Sequence, residues 1–133
     1  MACRIKEGSL KFNCVDTGPV RNYGNPKNEE DIPKFANYVR GNENFGLDKY
    51  DFVFDDGRSR VAVAYQAFRY MNEDSILAIH DYPEDDQSER IRYTNVEKYF
   101  EKIDSANRIS IFRKRPGMTI EDEVFEPELL IYH

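Results

Sequence analysis

The chain's best candidates for chemistry are two acidic motifs, Asp55-Asp56-Gly57 and His80-Asp81. Carboxylates coordinate hard cations such as Mg²⁺ through oxygen. An imidazole beside a carboxylate serves as a general base or a metal ligand, because the carboxylate orients the ring and fixes its tautomer. Each motif closes a short apolar run, Phe52-Val53-Phe54 before the first and Ile76-Leu77-Ala78-Ile79 before the second. Between the runs, Val61, Ala64, Tyr65, Phe68 and Met71 recur at helical spacing, and Asn72-Glu73-Asp74 reads as the turn that closes this helix. Two apolar runs joined by a helix of crossover length read as a βαβ unit whose parallel strands are buried on both faces. In such sheets ligands bind outside the carboxyl ends of the strands. Asp56, His80 and Asp81 are therefore expected to share one mouth, with at least two of them in reach of one ligand or ion. Arg58 and Arg60 flank Ser59 at the expected helix start, where unpaired N–H groups favour a carboxylate or phosphate. The simpler alternatives are a strand-end turn for Asp-Asp-Gly, a backbone-satisfied histidine and solvated arginines.

The elements that must position these groups follow from pattern. Leu10, Phe12 and Cys14 alternate with polar residues, predicting a strand over 9–15. Residues 16–48 are rich in Gly, Asn, Pro and charge, broken by a short helix near Ile32 to Val39 with Asp31 as its cap. Loops of that length tend to be lids or binding segments. Thr94-Asn95-Val96-Glu97 has the form of a capping box and opens a helix that turns Val96, Tyr99, Phe100 and Ile103 inward. Ile109 and Ile111 alternate around Ser110 in a late strand, and Leu129 to Tyr132 reads as a last one. The expected core is Phe52, Phe54, Val61, Phe68, Ile76, Leu77, Ile79, Val96, Phe100 and Ile111.

Composition bounds the rest. A chain of 133 residues fits one α/β domain spanning residues 1–133. The net charge of -6 and pI near 5.0 argue against nucleic-acid binding, which depends on phosphate neutralisation by clustered Lys and Arg. Arg113-Lys114-Arg115 reads as a solvated turn before Pro116-Gly117. No apolar window has the length of a membrane span, and the N-terminal residues lack a signal-peptide core. Cys3 and Cys14 are too few for a disulfide framework, so Cys14 is expected as a small core residue in a reduced, cytoplasmic setting. Zinc-ligand spacing, a Walker sequence and a Gly-x-Ser-x-Gly elbow are all missing.

Taken together, Asp51 to Gly57 and Ser75 to Asp81 resemble the fourth and fifth strands of a class I S-adenosylmethionine-dependent methyltransferase, with its Rossmann-like fold. The likeness is to the branch of small-molecule O-methyltransferases with Asp-Gly-x-His after the fourth strand. Residues 109–112 are then similar to a late strand, and residues 9–16 to the third. The resemblance implies a mostly parallel sheet with flanking helices, and metal-assisted methyl transfer from S-adenosylmethionine to a small-molecule oxygen. It implies a Mg²⁺ ion held by Asp56 and Asp81, His80 orienting or deprotonating the acceptor, and Arg58 and Arg60 at the cofactor. The family's Gly-x-Gly-x-Gly turn and the acidic residue closing its second strand have no counterpart here, and Ser59 stands where that branch has its basic histidine. The fold is accordingly expected to be a truncated or degenerate version that lacks the first two strands. The alternative function is a non-catalytic binding or assembly module. A sheet without those strands leaves a hydrogen-bonding edge, from which a symmetric homodimer is expected.

Overall fold

The structure, a computed structural model, describes residues 10–83 and 87–121. The expected strand at Leu129 to Tyr132 lies outside the described residues. The two apolar runs do form a parallel pair: strand β1 (Tyr50–Asp55) lies beside β2 (Met71–His80), with Phe52 opposite Ile76 and Asp55 opposite Ile79. Helix α2 (Arg60–Phe68) makes the crossover, after a short helix α1 (Phe35–Val39) that follows a 3₁₀ turn at Glu29–Lys34. Helix α3 (Gln87–Tyr99) then runs directly into strand β3 (Phe100–Ala106), and β4 (Ile109–Lys114) follows. The sheet order is β1-β2-β4-β3, with β4 antiparallel to both neighbours. The sheet is therefore mixed, not mostly parallel. Asn107 and Arg108, both at positive φ, join β3 to β4. A two-residue turn of this kind permits only an antiparallel return.

One face of the sheet carries the core. Val53, Leu77 and Phe112 lie in one cross-strand row and Asp55, Ile79 and Ser110 in the next. Against this face packs α2, buried almost all round because Ala62, Ala64 and Ala67 keep it slim. Tyr93, Val96 and Tyr99 of α3 close the layer, and Phe68 stacks edge-on against Tyr99 at 5.6 Å and Phe100 at 5.5 Å. Such aromatic contacts add about 0.5–1.5 kcal/mol each beyond their burial.

Several expectations are corrected here. Phe52 and Phe54 are 59% and 52% exposed, and Ile76 and Ile111 only half-buried, because strand alternation sends them to the opposite face. Residues 10–17 form no strand, and Leu10 and Phe12 are exposed. Cys14 is exposed and disulfide-bonded instead of a reduced core thiol. Thr94 lies inside α3, which starts seven residues before it, so Thr94-x-x-Glu97 is no cap. Ile103, on β3, is 44% exposed. Asn72 to Asp74 belong to β2, where Ser75 Oγ accepts the Asn72 N–H and donates to the Tyr50 carbonyl at 2.6 Å, an irregularity within the strand instead of a turn before it. No helix among the described residues is long and apolar enough to cross a membrane.

This division of the sheet predicts unequal costs of truncation. Phe100→Ala is expected to lose about 3–5 kcal/mol in urea denaturation. Ile103→Ala, three residues along, is expected to lose under about 1 kcal/mol. Equal losses would mean that the β3 side chains are buried on both faces.

Candidate functional site

Where β1 ends, two adjacent aspartates meet different fates. Alternation keeps Asp55 on the helix-covered face, where it is 3% exposed. Its Oδ2 has no hydrogen-bond partner, and Gly57 N–H reaches Oδ1 only at 3.4 Å. Burial pushes this carboxyl up to about 7, against the weaker opposing pull of the Gly57 N–H and the Arg60 charge. Asp56, one residue on, turns toward the end of β2, and its Oδ1 lies 2.9 Å from His80 Nδ1. Arg60 Nη2 approaches the same oxygen at 3.8 Å.

His80 closes β2 on the far face of the sheet, opposite Ile109. Asp81 follows at φ 55, and its Oδ2 lies 3.6 Å from His80 Nδ1. The β3–β4 turn clamps Asp81 twice: Asp81 N–H donates to the Arg108 carbonyl at 2.7 Å, and Arg108 Nη2 pairs with Asp81 Oδ1 at 2.7 Å. Asp56, His80 and Asp81 are thus brought together at the strand ends. Among the described residues, however, no group of three or more His, Cys, Asp or Glu is arranged to hold a metal ion.

A cleft of about 490 Å³ opens beside β1. Asp56, Gly57, Arg58 and Arg60 form one wall, and Thr17, Tyr23, Phe35 and Tyr38 help form the other. The volume falls within the range of small-molecule sites. His80 does not line it and touches it through Asp56. Arg60 is structural as well as lining, since Nε donates to the Gly57 carbonyl at 3.1 Å and Nη1 to the Tyr93 hydroxyl at 3.1 Å. Arg58 Nε donates to the Tyr23 carbonyl, tying the β1 turn to the long N-terminal segment. Tyr38 sits on the Asp-Asp-Gly turn and accepts the Arg58 backbone N–H. A Cβ at Gly57 would lie 2.0 Å from the Tyr38 hydroxyl oxygen, so close approach is what glycine provides here.

Sequence reasoning missed Tyr38, Tyr23 and Arg108. Tyr38 and Tyr23 carry no local signal, since distant chain brings them in. Arg108 had one: Asn107-Arg108 stands between two alternating segments, the mark of a hairpin.

Neither a family model nor a curated protein sequence matches this chain. The structure superposes with a TM-score of 0.70 on the crystal structure of a methyltransferase-like protein from Silicibacter pomeroyi, at 20% sequence identity. The fold is methyltransferase-like. The likeness covers 90% of this chain and 60% of the other, so this chain spans less than two thirds of that protein's length.

Two predictions follow from the β1 turn. Gly57→Ala is expected to cost about 1–3 kcal/mol, the usual range for overpacking. Most of that cost should be recovered in a Tyr38→Phe background, which removes the clashing oxygen; equal costs in both backgrounds would detach Tyr38 from the turn. The second concerns pH. A carboxyl raised in the folded state binds its proton more tightly folded than unfolded, so stability is fully present below about 4 and declines as pH rises toward 7. Asp55→Asn removes this dependence, and relative to wild type it should gain up to about 4 kcal/mol between pH 4 and pH 8 in thermal or urea unfolding. A pH-independent difference would show that Asp55 is not buried as a neutral acid.

Proposed function

We propose that this chain is a methyltransferase-like domain that binds a small molecule in the cleft at the end of β1, with Asp56 as its polar anchor. The observation that carries this reading is the state of Asp56. Its side chain is 49% exposed at the cleft wall, while His80 at 2.9 Å and Arg60 at 3.8 Å fix its orientation. A carboxylate held this way accepts a hydrogen bond from a ligand hydroxyl without first paying to order itself. His80 spends Nδ1 on Asp56, so in the neutral ring Nε2 is the basic nitrogen. His80 therefore acts on the cleft by orienting the Asp56 carboxylate that faces a ligand there.

The fold likeness supports methyl transfer as the reaction. When bound, S-adenosylmethionine supplies an electrophilic methyl group, and Arg58 and Arg60, which line the cleft, would meet its carboxylate. Mg²⁺ suits the described residues poorly: Asp56 is occupied by His80, Asp81 is paired with Arg108, and no third ligand joins them. Asp56, His80 and Asp81 act in this reading without a metal. A second reading, a non-catalytic binding or assembly module, is favoured by one observation: the strand-end charges partner one another, as in a structural clamp.

Isothermal titration of the chain with S-adenosylmethionine, with and without Mg²⁺, separates the two. The transferase reading expects saturable binding that does not depend on Mg²⁺, weakens at least tenfold in Arg58→Ala and is retained in His80→Gln. The absence of heat at millimolar S-adenosylmethionine with a chain that unfolds cooperatively would refute it and leave the module.

A further inference from the structure

We propose that the groove between α2 and the 3₁₀ turn Arg40–Phe45 is a second small-molecule site, and that it takes a neutral planar ring with a lactam edge, a C=O and an N–H on adjacent atoms. This inference is independent of any ligand in the β1-turn cleft. The groove measures about 220 Å³, and its walls include Phe45, Phe52, Val53 and Val63, with Asn42 and Gln66 as its two amides. An apolar cavity of about 150 Å³ takes benzene, so this one admits a substituted ring or a small fused pair. Phe45 and Phe52 offer such a ring aromatic contact.

Three side chains decide what the ring must carry. Gln66 stands inside α2 at 2% exposure. Its Nε2 donates to Glu43 Oε1 at 2.9 Å and to Asn42 Oδ1 at 3.2 Å, which uses both amide hydrogens. A carboxylate only accepts, so Glu43 fixes the Gln66 amide with its nitrogen inward, and that nitrogen fixes the Asn42 amide with its oxygen inward. One carboxylate therefore orients two amides, and each is left with one group unused. Asn42 Nδ2, a donor, and Gln66 Oε1, an acceptor, are buried without a hydrogen-bond partner among the described residues. Buried polar groups are nearly always partnered, so a matched donor and acceptor left over on one groove mark a place where a ligand supplies both bonds. The Asn42 donor calls for a carbonyl and the Gln66 acceptor for an N–H. A lactam offers the two side by side, whereas a carboxylate or phosphate offers no donor and would meet the charge of Glu43. Terminal amide torsions are broad, so small rotations of Asn42 and Gln66 bring both shielded atoms to a ligand's edge.

The probe is α-pyridone, a flat ring with one lactam edge, titrated into the isotope-labelled chain and followed by two-dimensional NMR. It is expected to bind saturably with a Kd of about 1 mM, the range of a fragment of this size, and to shift the side-chain amide signals of Gln66 and Asn42 most. N-methyl-α-pyridone keeps the ring and the carbonyl but loses the N–H, and should bind at least tenfold more weakly. Asn42→Asp is isosteric and sets an acceptor against the ligand's carbonyl, so it should weaken α-pyridone at least tenfold. The comparison of the two probes on wild type stands whether or not that variant folds. Equal affinity of the two probes would show a groove without polar selection, and shifts confined to Tyr23, Tyr38 and Arg58 would place the probe in the other cleft. Either result, or no saturation of the folded chain by about 10 mM α-pyridone, would overturn the proposal.

Discussion

Everything in this molecule depends on the register of one parallel pair. With Val53 opposite Leu77 and Asp55 opposite Ile79, Val53 and Asp55 lie beneath α2. Because the side-chain period of a strand is two, a slip of one residue would exchange the faces. It would bring Phe52 and Phe54 inward and drive Asp55 out. The observed register does the reverse, and the reason lies in size. The layer under α2 is shallow, built around Ala62, Ala64 and Ala67, and takes Val53 and a neutral aspartic acid more readily than two phenylalanines.

The same register sorts the charges at the strand ends. Asp55 is carried under the helix and keeps its proton to about 7 because water is excluded. Asp56, one residue later, emerges on the other side and finds His80 and Arg60. Adjacent carboxylates thereby differ in role without any difference in residue type. The clamp from Arg108 to Asp81 adds rigidity from a remote part of the chain, because the β3–β4 turn reaches back over the end of β2. That convergence depends on β4 being antiparallel to β2. A wholly parallel sheet would have carried the turn to the opposite end.

The βαβ unit was legible because both strands and the helix are apolar, of ordinary length, and bounded by Asp, Gly and Asn. The meeting of Asp56, His80 and Asp81 followed from strand direction alone. Burial on both faces was not legible, because Phe52-Val53-Phe54 reads the same whether its sheet has one cover or two. The true start of α3 was hidden by the polar run Gln87-Ser88-Glu89-Arg90, which carries no apolar stripe, while Thr94-x-x-Glu97 offered a false cap inside the helix. Over residues 9–15 alternation suggested a strand, yet among the described residues no neighbouring strand accepts residues 10–15. Instead, Asn13, Val15 and Thr17 help line the cleft, a role set by tertiary contact and invisible to a period.

Among the described residues the sheet is covered on one face, and its strand ends are met by chain from outside the sheet. Its strand-end cleft is walled on one side by the β1 turn and on the other by an irregular segment held through contacts such as Arg58 to Tyr23 and Tyr38 over Gly57. That wall is built from short 3₁₀ turns and helix α1, whose Phe35 and Val39 are buried; segments of this kind open locally more readily than central strands. The sheet itself is the stiff part. In the proposed reading, ligand contact at the cleft rests on Asp56, which is fixed to a strand end and oriented by His80. Tyr23 and Tyr38 line the same cleft from the segment before β1, Tyr38 against Gly57 and Tyr23 through its carbonyl to Arg58. In that reading, a change in the segment before β1 alters the ligand with no cost to the register that holds the fold.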